Sequence, residues 1–388
     1  MKMRRRIWLI LWMVSLVGIS FYGGAVSYGF FWATTLVPIV SLVYLLCVYF
    51  RFKIYQEVES RTMVCGQTMP YFFVLRNEDY FGFTSVNVRM FPHFSYVENV
   101  AEDIEYELLP GDEYTYHTTL ICKYRGEYEV GVKEVIVTDF FRIFKLKYPV
   151  VGTIKAIVYP RLVEVSQLYA MPEIVALLQR EAMFAKSEPD VVVRNYISGD
   201  SLKRIHWKIS AKENCLKVRS DIGEERHGIK LLLDTRRYDK KMENYIPLES
   251  KMLEVFLTLG LFFARKNIRF QAYYGKGGCN CKDVVSIKGF EDFYTSMTNI
   301  SFDEEDAFGE MLTALTAKKM LQEAKVLIGV VHELNNELLY LTESLAADGV
   351  MVILYVITDE DMEFYLRQST QRRKIIMVGL EAELEGVL

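Results

Sequence analysis

Residues 7–50 read IWLILWMVSLVGISFYGGAVSYGFFWATTLVPIVSLVYLLCVYF, and no Asp, Glu, Lys or Arg interrupts them. A membrane-spanning helix needs about 20 mostly apolar residues to cross roughly 30 Å of hydrocarbon. The run is therefore long enough for two crossings and too long for one. Gly23-Gly24 and Gly29 bracket its middle and suit a tight turn between antiparallel helices. The expected spans are Ile7–Tyr22 and Tyr28–Phe50.

The flanks set the expected orientation. Lys2, Arg4, Arg5 and Arg6 precede the first span, Arg51 and Lys53 follow the second, and the turn between them carries no charge. Basic residues stay on the cytoplasmic side, so both termini should be cytoplasmic and the protein should lie in the cell membrane with two spans. Trp8, Trp12, Tyr22, Tyr28 and Trp32 fall near the expected interfaces, where amphipathic rings settle. The competing interpretation is a cleaved leader with a small-residue site at Ala25-Val26-Ser27. It would leave the second apolar run as an N-terminal span.

Beyond the anchor, 388 residues leave room for two folded domains. The net charge of −4 argues against a nucleic-acid partner, which would call for a basic surplus. Six cysteines, Cys47, Cys65, Cys122, Cys215, Cys279 and Cys281, are scattered without the spacing of a disulfide framework, which fits a reducing compartment. Cys279-x-Cys281 follows the Gly-rich stretch Gly275–Gly278 and has no second Cys/His pair nearby, so it reads as a hairpin loop rather than a zinc clip.

From Phe52 to Tyr159 short runs rich in β-branched and aromatic residues, such as 71–75, 86–90 and 114–120, alternate with turn signals at 76–79, 110–112 and 125–126. This pattern predicts a small antiparallel β-sandwich. No acid, base and nucleophile cluster emerges from it, so it reads as a spacer or docking module. Residues 124–131 read as a turn feeding an edge strand. The three Phe of Asp139-Phe140-Phe141-Arg142-Ile143-Phe144 are expected to close the bottom of the sandwich.

The densest stretch is 193–212, VRNYISGDSLKRIHWKISAK. Ser198-Gly199-Asp200 is a turn with a carboxylate placed to cap a short helix over 200–211, on which Arg204 and Lys208 share one face. Arg194, Lys203, Arg204, His206, Lys208 and Lys212 concentrate positive charge there, suited to the acidic face of a partner protein or to an anionic ligand. An imidazole titrates near neutrality, so a ligand-sensing or enzymatic alternative would run through His206 and Asp200. A hydrolase needs a nucleophile and an oriented base, and neither is present with suitable spacing.

From Arg194 to Ala211 the residues follow R-x-Y-x-x-G-D-x-x-x-R-I-H-W-K-x-S-A. This string resembles the signature of the bacterial domain-of-unknown-function family 58. The two spans, Arg125-Gly126-Glu127-Tyr128 with Gly131, the segment 139–144, and Tyr159-Pro160-Arg161 extend the likeness over most of the chain. The family usually has D-P-F-G-L-F where this chain has Phe140 for the Pro and Arg142 for the Gly. The resemblance implies a membrane protein with a von Willebrand factor A-like region, often encoded beside a MoxR-type AAA+ ATPase and a transglutaminase-like protein. Arg194, Tyr196, Gly199, Asp200, Arg204, His206, Trp207, Lys208, Ser210 and Lys212 are the candidate partner- or ligand-binding residues.

After the motif, apolar strands alternate with helical runs: strands at 229–233, 268–274, 326–331, 350–357 and 375–378, and helices at 248–265, 304–321 and 335–347. The alternation predicts a doubly wound α/β sheet, in agreement with a von Willebrand A-like domain, whose ligands would lie beyond the strand ends. Asp234 closes the first strand, where A domains carry a metal-binding D-x-S-x-S. Here Arg236 and Tyr238 replace the two hydroxyl ligands, and a divalent cation wants hard oxygens. No metal and no cofactor are expected. The expected organisation is a two-helix anchor over 1–52, a β-sandwich over 53–160, a connecting region with the motif over 161–228, and an A-like domain over 229–388. The expected role is a tethered cytoplasmic scaffold that docks a partner, not an enzyme.

Overall fold

The structure is a computed structural model that describes residues 2–100, 104–150, 152–187, 191–196, 205–221, 228–275, 280–303, 308–318, 320–321, 324–359 and 368–388. At residues 2, 149, 181–187, 191–194 and 219–221 the description is of the backbone. The chain divides into two units, Met1–Tyr159 and Pro160–Leu388.

The first unit opens with helices α1 (Lys2–Tyr22) and α2 (Gly24–Arg51). Both are long and apolar enough to cross a membrane, with mean hydropathy 1.3 and 2.1 over their spans. They turn at Gly23, whose φ of 57° places it in the left-handed region that glycine enters without strain. The break is sharper than the sequence implies: residues 24–27, left between the two expected spans, belong to α2. Trp12 Nε1 donates to Thr35 Oγ1 at 3.1 Å, and the Ser15 and Thr34 hydroxyls are also 3.1 Å apart, which fixes an antiparallel register.

Eleven strands follow in the described part of this unit: β1 (Lys53–Val58), β2 (Thr62–Val64), β3 (Thr68–Arg76), β4 (Phe83–Met90), β5 (Ser95–Val97), β6 (Glu105–Leu108), β7 (Glu113–Cys122), β8 (Gly126–Val130), β9 (Val132–Thr138), β10 (Lys145–Pro149) and β11 (Ile154–Tyr159). They form sheets of order β1-β3-β7-β5, β10-β9-β4-β6 and β2-β11-β8, antiparallel except where β2 runs parallel to β11. Alternation drives the layering. Along β3, Tyr71, Phe73 and Leu75 are buried while their neighbours are less so. The Tyr106 ring of β6 lies 5.3 Å from the Tyr116 ring of β7, so the first two sheets face each other. Strand β8 is an edge strand, as residues 124–131 imply.

The β9–β10 turn does not close the bottom of this β domain as expected. Phe140 and Phe141 are exposed, and the turn lies against α1 and α2: the Phe141 ring is 6.0 Å from Trp8 and the Phe140 ring 4.4 Å from Tyr44.

The second unit contains α3 (Pro172–Ser187), β12 (Val191–Asn195), α4 (Trp207–Glu213), β13 (Lys217–Asp221), β14 (Ile229–Leu233), α5 (Met242–Arg265), β15 (Phe270–Tyr274), β16 (Asn280–Val284), α6 (Ile287–Thr298), α7 (Phe308–Ala317), β17 (Val326–Val331), α8 (Asn336–Ala347), β18 (Met351–Ile357) and β19 (Arg373–Val378). Its main sheet runs β16-β15-β14-β17-β18-β19, all neighbours parallel except the antiparallel edge pair β15–β16. Strands β14 and β17 are buried at every position, as sheets covered on both faces require.

Helices supply those two covers. Leu231, Leu233, Ile328, Val330, Ile353 and Tyr355 pack with α5 and α6, while Leu232, Leu327, Val331, Val352 and Leu354 pack with α7 and α8. The region expected to be a connector is partly core: Leu168, Met171, Val175 and Leu178 join the α5 face. Fully burying a Leu or Val side chain contributes about 1.5–3 kcal/mol, so this segment belongs energetically to the α/β unit.

Candidate functional site

Two places in the second unit carry the residues singled out by sequence. The first is the hairpin of β12 and β13 with α4. Val191–Asn195 pairs antiparallel with Lys217–Asp221, and Ile205 bridges to Val218. The helix starts at Trp207, not near Asp200, with His206 at its N-cap. Gly199, Asp200 and Arg204 lie outside the described residues, as does the side chain of Arg194, so the expected Arg204–Lys208 face is not assessed.

Ser210 ties the helix down. The Lys217 amide donates to Ser210 Oγ at 2.8 Å, Ser210 Oγ donates to the Lys217 carbonyl at 3.3 Å, and the His206 amide donates to the same carbonyl at 2.8 Å. The Tyr196 amide donates to Leu216 O at 2.8 Å and closes the other side of the hairpin. Lys217 reaches Glu213 at 2.9 Å, and that hydrogen bond raises its pKa.

What remains outside is an exposed aromatic ring and two exposed cations on one short helix. Trp207 is 66 % exposed, and Lys208 and Lys212 are exposed beside it. His206 Nδ1 is buried without a hydrogen-bond partner among the described residues. The structure therefore gathers Tyr196, His206, Trp207, Lys208, Ser210 and Lys212 on one hairpin, with Ser210 holding the platform rather than facing a ligand.

The second place is the carboxyl edge of the main sheet, between β14 and β17. Strand order reverses there, and this is where open α/β sheets place ligands. Asp234 continues β14, its amide donating to Val330 O at 2.9 Å, and it is buried. Its Oδ1 accepts from the Arg236 amide at 3.0 Å, and its Oδ2 accepts a short hydrogen bond from the Tyr238 hydroxyl. The Tyr238 ring meets His332, which follows β17, edge-on at 4.8 Å, and the Arg236 guanidinium sits 5.2 Å from the Tyr238 ring centroid. His332 Nδ1 lies 2.6 Å from Ile357 O, which requires the ring proton on that nitrogen.

Two flanking contacts fix the loop. Arg237 pairs with buried Glu249 of α5 at 2.7 Å, and backbone bonds connect Thr235 and Arg237 to Asp303. Burial pushes the Tyr238 phenol's pKa well above its ordinary value, and the adjacent Asp234 charge and hydrogen bond push it further.

These residues do not fit a divalent cation. Calcium or magnesium asks for an array of oxygen ligands, whereas both Asp234 oxygens receive donors from the protein and a guanidinium covers the tyrosine. Among the described residues no group of three or more His, Cys, Asp or Glu is placed to hold a metal. His332 and Glu249 were not singled out from the sequence. The first was findable, because it directly follows a strand that the apolar run 326–331 marks, at the sheet's switch point.

No family model and no curated protein matches the chain. Among solved structures, the CARDB domain of a Pyrococcus furiosus protein, in complex with di-metal ions, is 15 % identical over 28 % of this chain and 93 % of that one, with a TM-score of 0.20. Escherichia coli alpha-2-macroglobulin, from domain MG7 to the C-terminus, is 15 % identical over 36 % and 26 %, with a TM-score of 0.21. Spo0M, a sporulation control protein of Bacillus subtilis, is 14 % identical over 38 % and 58 %, with a TM-score of 0.18. Likeness this remote assigns neither a fold nor an activity to the chain.

Proposed function

We propose that this protein is a scaffold tethered in the cell membrane by two spans, with both termini cytoplasmic, whose α4 hairpin docks a partner protein. The observation that carries this is the α4 platform: a largely exposed tryptophan with exposed Lys208 and Lys212 on the same short helix, which Ser210 pins. Trp is enriched at the energetic centres of protein interfaces, and an ordered platform loses little entropy on binding. The paired lysines favour an acidic partner face.

On this proposal the second unit is a von Willebrand A-like, doubly wound domain. In sequence rank its strands run 3-2-1-4-5-6 with an antiparallel edge, which supports that assignment. The Tyr238-for-metal substitution at Asp234 supports a binding role without metal chemistry. The resemblance to family 58 directs the choice of partner to a MoxR-type AAA+ ATPase, with a transglutaminase-like protein as a second associate.

Full-length protein in detergent, carrying Lys208→Glu with Lys212→Glu, should lose the partner that the unaltered protein co-purifies. Retention of every partner by this variant refutes the proposal. The buried Nδ1 of His206, without a hydrogen-bond partner among the described residues, favours a second reading, a ligand sensor acting through His206. That reading requires a ligand or activity lost in His206→Ala while α4 and β13 stay folded.

A further inference from the structure

Helix α2 has 28 residues, about 42 Å at 1.5 Å per residue, against roughly 30 Å of hydrocarbon. The surplus has a definite place. The register set by Trp12–Thr35 and Ser15–Thr34 brings Arg4, Arg5 and Arg6 of α1 level with about residues 42–44 of α2. Arginines at the end of a span mark the headgroup level. The stretch from Tyr44 to Arg51 therefore lies beyond the hydrocarbon and packs into the β domain, where Leu45, Val48 and Phe52 are fully or almost fully buried.

The β9–β10 turn sits at that same level and is locked to both helices. Arg5 Nε donates to Ile143 O at 2.7 Å, and the guanidinium lies 5.8 Å from the Phe144 ring centroid. The Ser41 hydroxyl donates to Asp139 Oδ2 through a short bond. The Asp139 carboxylate also accepts from the Phe144 amide at 2.6 Å and the Phe141 amide at 3.2 Å, which shapes the turn. Trp8, two residues inside the last arginine, meets Phe141, and Tyr44 meets Phe140.

Yet Phe140 is 58 % exposed and Phe141 50 % exposed. Two adjacent phenylalanines left open beside an apolar helical hairpin, at the depth of its interfacial tryptophan, extend the surface that the hairpin presents to lipid. We infer that Phe140 and Phe141 form a wedge inserted into the cytoplasmic leaflet at the headgroup–acyl boundary, so that the β domain is held to the bilayer by a turn as well as by its helices. A turn with such a role explains why the aromatic residues of 139–144 are not all folded into the β core.

This inference rests on the anchoring proposed above, and the test separates the two. A photo-crosslinking benzophenone analogue of phenylalanine replaces, one at a time, Phe140, Phe141, Met13 in the middle of α1, and Tyr96 on β5. Tyr96 is exposed and pairs with Ile121, at the far end of β7 from Glu113, which meets Arg76 beside the anchor. The full chain is reconstituted into phosphatidylcholine–phosphatidylglycerol nanodiscs, irradiated and analysed by mass spectrometry. Lipid adducts are expected at 140 and 141 as at 13, and not at 96. Adducts at 13 without adducts at 140 and 141 overturn the wedge and leave the anchor standing. No adduct at 13 removes the anchor and the wedge together.

Discussion

Replacing Tyr238 with Phe removes one hydroxyl and leaves the ring that packs against His332 and Arg236. The lost group donates to a carboxylate that is 1 % exposed. A hydrogen bond to a charged partner contributes about 1.5–3 kcal/mol net. Local opening of the β14 edge should become easier by the same amount, so its amides should exchange with solvent about ten to a hundred times faster. Hydrogen exchange on full-length protein at pH 8, followed through peptides covering 229–238 and 326–333, measures this directly. The pH dependence has a definite sign. The phenol's pKa is raised in the fold, so its contribution is whole below the ordinary tyrosine value near 10 and is lost as pH climbs above it. The difference between Tyr238→Phe and the parent should therefore be largest below pH 10 and narrow above it. Equal exchange in the two proteins at pH 8 would refute the claim that this hydroxyl closes the Asp234 site.

Other consequences are open to measurement. Gly131 has φ of 82°, and a Cβ there would stand 2.5 Å from Gln56 Oε1 and 3.0 Å from the Tyr71 hydroxyl; Gly131→Ala should cost about 2–4 kcal/mol in chemical denaturation, from backbone strain plus overpacking. Arg142 holds φ of 54° in the β9–β10 turn, so Arg142→Val should cost about 1–2 kcal/mol, since a β-branched residue tolerates that region poorly. Burial lifts the Cys122 thiol from 9.0 to about 11, so stability should fall by about 3 kcal/mol as pH rises from 9 through 11, and Cys122→Ala should flatten that slope in a pH series of melts. Ser210→Ala removes the two hydroxyl hydrogen bonds to Lys217 and leaves the Lys217–Glu213 pair, and exchange protection of 205–213 should drop about tenfold.

Much of the second unit is legible in the sequence because buried parallel strands write themselves as unbroken apolar runs. Ile229–Leu233 and Val326–Val331 are both read at their observed bounds. Strand β16 escaped because an exposed edge strand such as Asn-Cys-Lys-Asp-Val carries no apolar alternation. Helix α6 has a legible stripe: Phe290, Phe293 and Met297, its buried residues, stand at helical spacing. At the sheet edge, the replacement of the two motif serines by Arg236 and Tyr238 is visible in the string. That the Tyr238 phenol turns back onto Asp234 depends on a loop pinned by Asp303 and Glu249, far along the chain. The β9–β10 turn misled for a similar reason. Three phenylalanines in six residues read as core until the two apolar helices stand beside them and change what counts as inside.

The docking claim is tested most directly at Trp207. With the benzophenone analogue placed at 207, and at exposed Tyr340 of α8 as the reference position, intact membranes are irradiated and the adducts identified by mass. The scaffold account predicts a discrete protein adduct at 207, absent at 340 and abolished by Lys208→Glu with Lys212→Glu. Contradiction would be a bare 207, or the same adducts at both positions.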